Sequence, residues 1–282
     1  MKIILSSNYE DAAGQRYDAT VEAEYGDTVI EGAIYTLAHH CGKYRLNPAP
    51  CEFPNQRDFD GVTLISHIDL DTIGGCLALY GLKPEDNEFW KAVGFIDVNG
   101  PHHIHELEDI MQARLSAYNA YANSIERPKY NSPCDVTNEI CAAGKVIGYI
   151  IAGDEELLRK GKEWRETSEI TVEAKLVNEN ENIRAFITDG VFCSAAYYSK
   201  KQGAIIPAAV VLNKRYNSVT VSFEDGGAKF DASKIVKKLW GEMAGGHAGI
   251  AGSPRGWGLS DKEALEEFER ACICVDKIQR DE

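Results

Sequence analysis

No run of the sequence comes near the roughly 20 consecutive apolar residues that a membrane-spanning helix needs. The opening Met1-Lys-Ile-Ile-Leu-Ser-Ser-Asn8 is a strand-sized apolar run, too short for a signal peptide. Positive charge is also scarce: 30 Lys and Arg stand against 44 Asp and Glu, a formal net charge of −14. That balance argues against a groove for long nucleic acid, because such binders carry a basic footprint. A short or single-nucleotide substrate stays open, since divalent cations at an Asp cluster cancel charge locally. The eight cysteines, Cys41, Cys51, Cys76, Cys134, Cys141, Cys193, Cys272 and Cys274, include no CxxC pair and no disulfide-framework spacing. They read as reduced thiols, and with neither leader nor membrane span they predict a soluble cytoplasmic protein. No internal repeat is present. What is there is an ordinary globular composition, 44% hydrophobic and 26% charged over 282 residues, long enough for two domains.

The stretch with the most chemistry is Val62-Thr-Leu-Ile-Ser-His-Ile-Asp-Leu-Asp-Thr-Ile-Gly-Gly75. It places His67, Asp69 and Asp71 at alternate positions after a short apolar segment. In an extended backbone, residues i, i+2 and i+4 point one way, so an imidazole and two carboxylates converge while Ile68 and Leu70 pack behind them. Thr72–Leu82 has helical periodicity, and Gly74-Gly75 permits close backbone approach. A strand, an acidic turn and a helix in this order put the three side chains at a strand's carboxyl end, where open α/β sheets hold ligands.

Around this unit the pattern predicts a first strand at Lys2–Leu5 and a strand in Asp27–His40 ending in the His39-His40 pair. A proline-fixed loop, Asn47–Pro54, suits a site wall. Phe89–Asp97 reads as a second apolar run closing on a carboxylate. Val98–His105 then brings His102, His103 and His105 close together, and helical spacing spans Glu106–Ile125. Asp135 and Asp154 read as openings of further helices. Asn178–Asn182 reads as an exposed turn, followed by strands at Ile183–Ile187, Ile205–Leu212 and Ser218–Phe223. Asp231 caps one more helix, and Ser260-Asp-Lys-Glu263 is a capping box for the last. The predicted fold is α/β: a parallel-sheet domain with flanking helices over 1–172, then a smaller α+β domain over 173–282.

Two divalent metals need several carboxylates and imidazoles, with one group bridging. His67, Asp69, Asp71, Asp97 and a subset of His39, His40, His102 and His103 meet that count. Mixed imidazole and carboxylate ligation suits Mn²⁺, Fe²⁺ or Zn²⁺ better than Ca²⁺. Further on, Gly245-Gly-His-Ala-Gly-Ile-Ala-Gly252 bares backbone N–H groups around His247, with Arg255 close behind for a bidentate phosphate contact.

Ser66–Gly74 resembles the first motif of the DHH phosphoesterase superfamily, and Gly245–Gly252 resembles the GGHxxAAG signature of its C-terminal DHHA1 domain. The order and separation of the two also match, as in RecJ-like and nanoRNase-like members. The resemblance implies a two-domain hydrolase with a two-metal centre, most often Mn²⁺, with Mg²⁺, Fe²⁺ or Zn²⁺ as alternatives. It implies His67, Asp69 and Asp71 as metal ligands, Asp97 as a bridging candidate, and Gly245, Gly246, His247 and Arg255 as substrate contacts across a cleft. His39 and His40 are further metal candidates, and His102 or His103 is a candidate proton donor to the leaving oxygen. The chain lacks the Asp-His-His triplet that names the family. Ala38-His39-His40 and Pro101-His102-His103 keep the pair without its Asp. The expected activity is metal-dependent hydrolysis of a small phosphorylated or nucleotide substrate, such as a short oligonucleotide, a cyclic dinucleotide or phosphoadenosine phosphate. No membrane or long nucleic acid is expected as partner, and a homodimer is compatible with the sequence. The competing class is a non-catalytic nucleotide sensor on a degraded site.

Overall fold

The computed structural model describes residues 1–126, 133–174, 176–180, 182–189, 197–199, 201 and 203–280. Cys193 lies outside the described residues, and the other seven cysteines are free thiols. The protein is a mixed α/β chain with a parallel-rich sheet and several helices, and it divides into two compact units. The first is Met1–Asp97 with Glu126–Leu158, the second Val98–Ile125 with Arg159–Glu282.

In the first unit, β1 (Lys2–Leu5), β2 (Ala19–Val21), the β3–β4 hairpin (Glu24–Tyr25, Thr28–Val29), β5 (Tyr35–Leu37), β6 (Val62–Ile65) and β7 (Cys134–Asp135) supply the strands. The helices are α1 (Tyr9–Ala13), α2 (Leu70–Leu79), α3 (Asn87–Asn99) and, after the second unit's α4 (Asp109–Ser124), α5 (Thr137–Ile151). The sheet order is β5-β2-β6-β1-β7. All its pairings are parallel except that of β7, which runs antiparallel at the edge. The strands are short and apolar, and β2 is buried along its length, as expected of a parallel sheet covered on both faces. Helix α2 is buried from Asp71 to Leu79, so its stripe of Ile73, Cys76 and Leu77 is only part of what it hides.

Phe89–Asp97, read from sequence as a strand-like run, is instead the body of helix α3. Phe89, Trp90, Ala92, Val93 and Gly94 supply its buried side. A continuous apolar run of this length fits either a buried strand or a buried helix, and packing decided.

In the second unit, α6 (Glu155–Ala174), which begins at the end of the first, leads to β8 (Leu176–Glu179), β9 (Ile183–Thr188), β10 (Tyr198–Ser199) and β11 (Ala204–Ile205). Next come β12 (Ala208–Asn213), β13 (Ser218–Phe223), α7 (Ala232–Trp240), β14 (Gly245–Gly246), β15 (Ile250–Gly252) and α8 (Asp261–Arg280). Six strands pair in the order β14-β15-β13-β12-β9-β8, with only β12 and β9 parallel. Alternation along β12 builds two cores: Ala208, Val210 and Leu212 face Val236, Phe268 and Val275 of α7 and α8, while Ala209 and Val211 face Val172, Phe186 and Tyr197. The expected turn at Asn178–Asn182 is shorter than predicted. Its first two residues extend β8, and the Asn180 side chain accepts the N–H groups of Asn182 and Ile183 to make the bend. The capping box forms as read: Ser260 and Glu263 exchange side-chain to backbone hydrogen bonds at the start of α8. No helix among the described residues is long and apolar enough to cross a membrane.

Candidate metal centre

Strands β5, β2 and β6 lie side by side and parallel, so their carboxyl ends open on one edge of the sheet. Each ends in an apolar residue and is followed within two positions by an ionisable one. His39 and His40 follow Leu37, Glu22 follows Val21, and Ser66 and His67 follow Ile65.

Glu22 is where these segments meet. Its carboxylate is fully buried. Oε1 lies 2.9 Å from His39 Nε2, while Oε2 lies 2.9 Å from His40 Nε2 and 3.4 Å from His67 Nε2. Its backbone takes the left-handed conformation, φ 51°, which costs a non-glycine residue about 1–2 kcal/mol. The neighbouring strands hold it there: its N–H donates to the Leu37 carbonyl at 2.8 Å, and its carbonyl accepts the Ser66 hydroxyl. Local strain fixed from both sides is a mark of functional positions.

Helix α2 contributes two carboxylates. Asp69 is its N-cap: Oδ1 accepts the Thr72 N–H at 2.8 Å, and Oδ2 lies 2.6 Å from His67 Nε2. Asp71, two residues further on in the first turn, is buried; Oδ1 accepts the Cys51 N–H at 2.7 Å and Oδ2 lies 3.2 Å from His39 Nε2. Asp97, near the end of α3, brings Oδ2 to 3.2 Å from the same nitrogen. Glu24, whose carboxylate also lies within ligand distance of Glu22 and His40, has a second role. Its carboxylate gathers the backbone N–H groups of His39, His40 and Cys41 at 3.3, 3.0 and 3.1 Å, which fixes the histidine pair.

Three carboxylates within 3.2 Å of one imidazole nitrogen exceed what a single N–H can serve. The same convergence suits a cation. Ligand atoms of Glu22, His39 and Asp71 lie within 4.8 Å of one another, as do those of Glu22, His67 and Asp69. Glu22, Glu24 and His40 make a third such group, and with Glu22 common to all three the donor set fits more than one metal position around that carboxylate. Imidazole with carboxylate is chemistry for Mn²⁺, Fe²⁺ or Zn²⁺.

Ionisation reflects the crowding. Burial would pull the His39 imidazole down, but hydrogen bonding to Asp71, Asp97 and Glu22 carries it far above its ordinary value. His40 is likewise lowered by burial and raised more strongly by the charge of Glu22, to about 9. Burial pushes the Asp71 carboxyl up to about 7, with the charges of Glu22 and Asp97 adding to it against the His39 hydrogen bond. Burial works in the same direction on Glu22, yet the two histidines hold it well below the usual range. Without metal the histidines are thus the cluster's internal cations.

Of the residues singled out in the sequence, His39, His40, His67, Asp69, Asp71 and Asp97 come together in the first unit. The others belong to the second unit. His102 lies in the 3-10 turn Pro101–Glu106, buried with its ring 4.2 Å from that of Tyr197. Neither of its ring nitrogens has a hydrogen-bond partner, and burial depresses its pKa to about 3. His103 Nδ1 pairs with Glu106 at 2.5 Å. Gly245 and Gly246 form β14, His247 lies in the hairpin to β15, and Arg255 is exposed just beyond. Part of the glycine content there is demanded by packing: a Cβ on Gly246, whose φ is 142°, would sit 2.7 Å from the Ile250 carbonyl oxygen. One on Gly249 would sit 3.0 Å from the Gly226 Cα.

Glu22 and Glu24 escaped the sequence reading. The signal was present in Ala19-Thr-Val-Glu-Ala-Glu24, a short strand closing on alternate acids as Val62–Asp71 does.

No protein-family model matches the chain, and no curated protein matches it. Among solved structures, a pGpG-specific phosphodiesterase, PggH from Vibrio cholerae, is similar over 66% of this chain and 66% of its own length, at 10% identity and a TM-score of 0.35. A likeness this distant leaves the chemistry to be read from the residues themselves.

Proposed function

We propose that the protein is a metal-dependent phosphoesterase of DHH/DHHA1 type that hydrolyses a small phosphorylated or nucleotide substrate. The observation that carries this reading is the convergence of Glu22, His39, His67, Asp69, Asp71 and Asp97 on two positions with a shared carboxylate. Divalent cations bound there, with Mn²⁺ the first candidate and Mg²⁺, Fe²⁺ or Zn²⁺ the alternatives, supply Lewis-acid polarisation of a phosphoryl oxygen and activation of water.

The chain's own groups divide the remaining work. Glu22 would be a ligand common to both positions, its carboxylate buried among His39, His40 and His67. The Thr72 N–H turns Asp69 and the Cys51 N–H turns Asp71, so one oxygen of each is left for the centre. Glu24 fixes the loop that presents His39 and His40. For protonation of the leaving oxygen, His103 with its carboxylate partner is the better candidate. His102 is buried with its pKa depressed to about 3, so at neutral pH it carries no imidazolium proton to donate. Gly245, Gly246, His247 and Arg255 are carried in this proposal as the phosphate-binding set of a C-terminal domain spanning 173–282. Five carboxylates in and beside the centre disfavour a long polyanion and favour a small substrate.

The test is hydrolysis of bis-p-nitrophenyl phosphate and of linear and cyclic dinucleotides by EDTA-stripped protein with Mn²⁺ restored, beside Asp69→Ala. Turnover that needs the metal and is lost in the variant supports the reading. Tight Mn²⁺ binding with no turnover on any of these substrates would overturn it in favour of a sensor.

A further inference from the structure

The loop 49–54 packs against the first half of helix α2. At the helix's first turn, the Cys51 N–H donates to Asp71 Oδ1 at 2.7 Å. Along its middle, Gly74 and Gly75 make room. A Cβ on Gly74 would stand 2.5 Å from the Cys51 Cβ, and one on Gly75 2.8 Å from the Pro50 Cβ. Just past its end, Lys83 reaches back: its Nζ donates to the carbonyls of Cys51 and Phe53, both at 2.6 Å. The Lys83 backbone is itself locked by Asn55, whose side chain accepts the Lys83 N–H at 3.1 Å and donates to the Lys83 carbonyl at 2.9 Å. The ammonium also stands 5.6 Å over the Trp90 ring.

The two oxygens of Asp71 are thus divided, Oδ1 toward the loop and Oδ2 toward His39 in the centre. Rotation of the carboxylate would break the Cys51 hydrogen bond, and Lys83 grips the carbonyl of that same residue, in the next peptide unit across the Cys51 Cα. We infer that Lys83 is a positioning residue for one half of the metal centre, acting through the backbone of Cys51 to aim Asp71. Charge-assisted bonds from an ammonium to two carbonyls of a loop that carries Pro50 and Pro54 hold the Cys51 backbone, and with it the N–H one Cα away, in a single orientation. A lysine spent on two backbone carbonyls beside a cluster starved of cations is otherwise unexplained. The inference rests on the metal-dependent reading above and adds an asymmetry to it: Asp71 belongs to the Glu22–His39–Asp71 group and not to the Glu22–His67–Asp69 group.

The test is titration of EDTA-stripped protein with Mn²⁺ by calorimetry, together with thermal denaturation in EDTA. Lys83→Met keeps the apolar stem over Trp90 and removes the donors. It is expected to weaken one Mn²⁺ equivalent about 10- to 100-fold, the usual cost of losing an outer partner, and to leave the other within about threefold. Lys83→Arg restores donors and is expected to recover most of that loss. Should Lys83→Met fail to fold, Lys83→Gln is expected to show the same one-sided weakening. Equal weakening of both equivalents in step with lost thermal stability, or no weakening of either, would overturn the inference. Wild-type protein that binds no Mn²⁺ would instead sink the parent reading, and the two failures are told apart by that control.

Discussion

Replacing Glu22 by Gln keeps the side-chain volume and the left-handed backbone while removing the one carboxylate common to the Glu22–His39–Asp71 and Glu22–His67–Asp69 groups. Loss of a ligand should weaken each Mn²⁺ equivalent by at least the upper end of the range seen for outer partners, about 100-fold or about 2.8 kcal/mol. At a Mn²⁺ concentration 100 times the wild-type Kd, binding stabilises a one-site protein by about 2.7 kcal/mol. After a 100-fold loss the same concentration only equals Kd, and the stabilisation falls to about 0.4 kcal/mol. For a chain of this size that difference is a drop of about 5–9 °C in the Mn²⁺-induced rise of Tm per site. Asp69→Asn, which touches one group only, should lose the effect of one equivalent and keep the other. The assays are calorimetric titration and thermal shift with and without Mn²⁺. Two equivalents bound by Glu22→Gln with wild-type affinity would refute the shared-ligand geometry, whatever became of activity.

Proton accounting gives a second prediction. His39 and His40 are held protonated at pH 7 in the metal-free cluster; His39 must be neutral to ligate, and His40 would lose the Glu22 charge that holds its proton once cations neutralise that carboxylate. Binding at pH 7 should therefore release about two protons per protein, plus a fraction from Asp71. The His40 contribution should fade as pH rises through about 9, where that group is already neutral. Calorimetry in buffers of different ionisation enthalpy measures this, and zero net release would contradict the cluster's charge assignment. His102→Phe removes an imidazole with no hydrogen-bond partner for either nitrogen and should be neutral or stabilise by up to about 1 kcal/mol at pH 7. Because burial holds the His102 pKa near 3 against an ordinary 6.5, the wild type loses stability as pH falls below 6.5 toward 3; the variant should lose less there in acid denaturation. Gly74→Ala drives a Cβ to within 2.5 Å of Cys51 and 2.7 Å of the Trp90 ring. Overpacking should cost about 1–3 kcal/mol in chemical denaturation, and a tolerated Ala would show that loop 49–54 is looser than its contacts imply.

What could be read without tertiary structure was whatever short-range periodicity encodes. His67, Asp69 and Asp71 share a short segment, so their common direction followed from the two-residue repeat and from the turn into α2. The caps at Asp231 and Ser260 were equally local. Asp97 was picked out by its position after an apolar run, though the run proved to be helix, because burial on both faces erases the difference between the two periods.

The partners of these residues were decided by the order of strands in the sheet. Glu22 and His39 are 17 positions apart, and Glu22 and His67 are 45 apart; no spacing rule links them. They meet because β2 lies between β5 and β6, all three parallel, which stacks three strand ends on one edge. A histidine pair that stood before the HxDxD stretch and looked displaced in sequence is beside it in space for that reason. Sequence by itself determined which side chains could serve a metal and the direction of three of them. Only the parallel pairing of distant strands chose Glu22 as their common centre, since convergence of charge is a property of the sheet edge and of no segment alone.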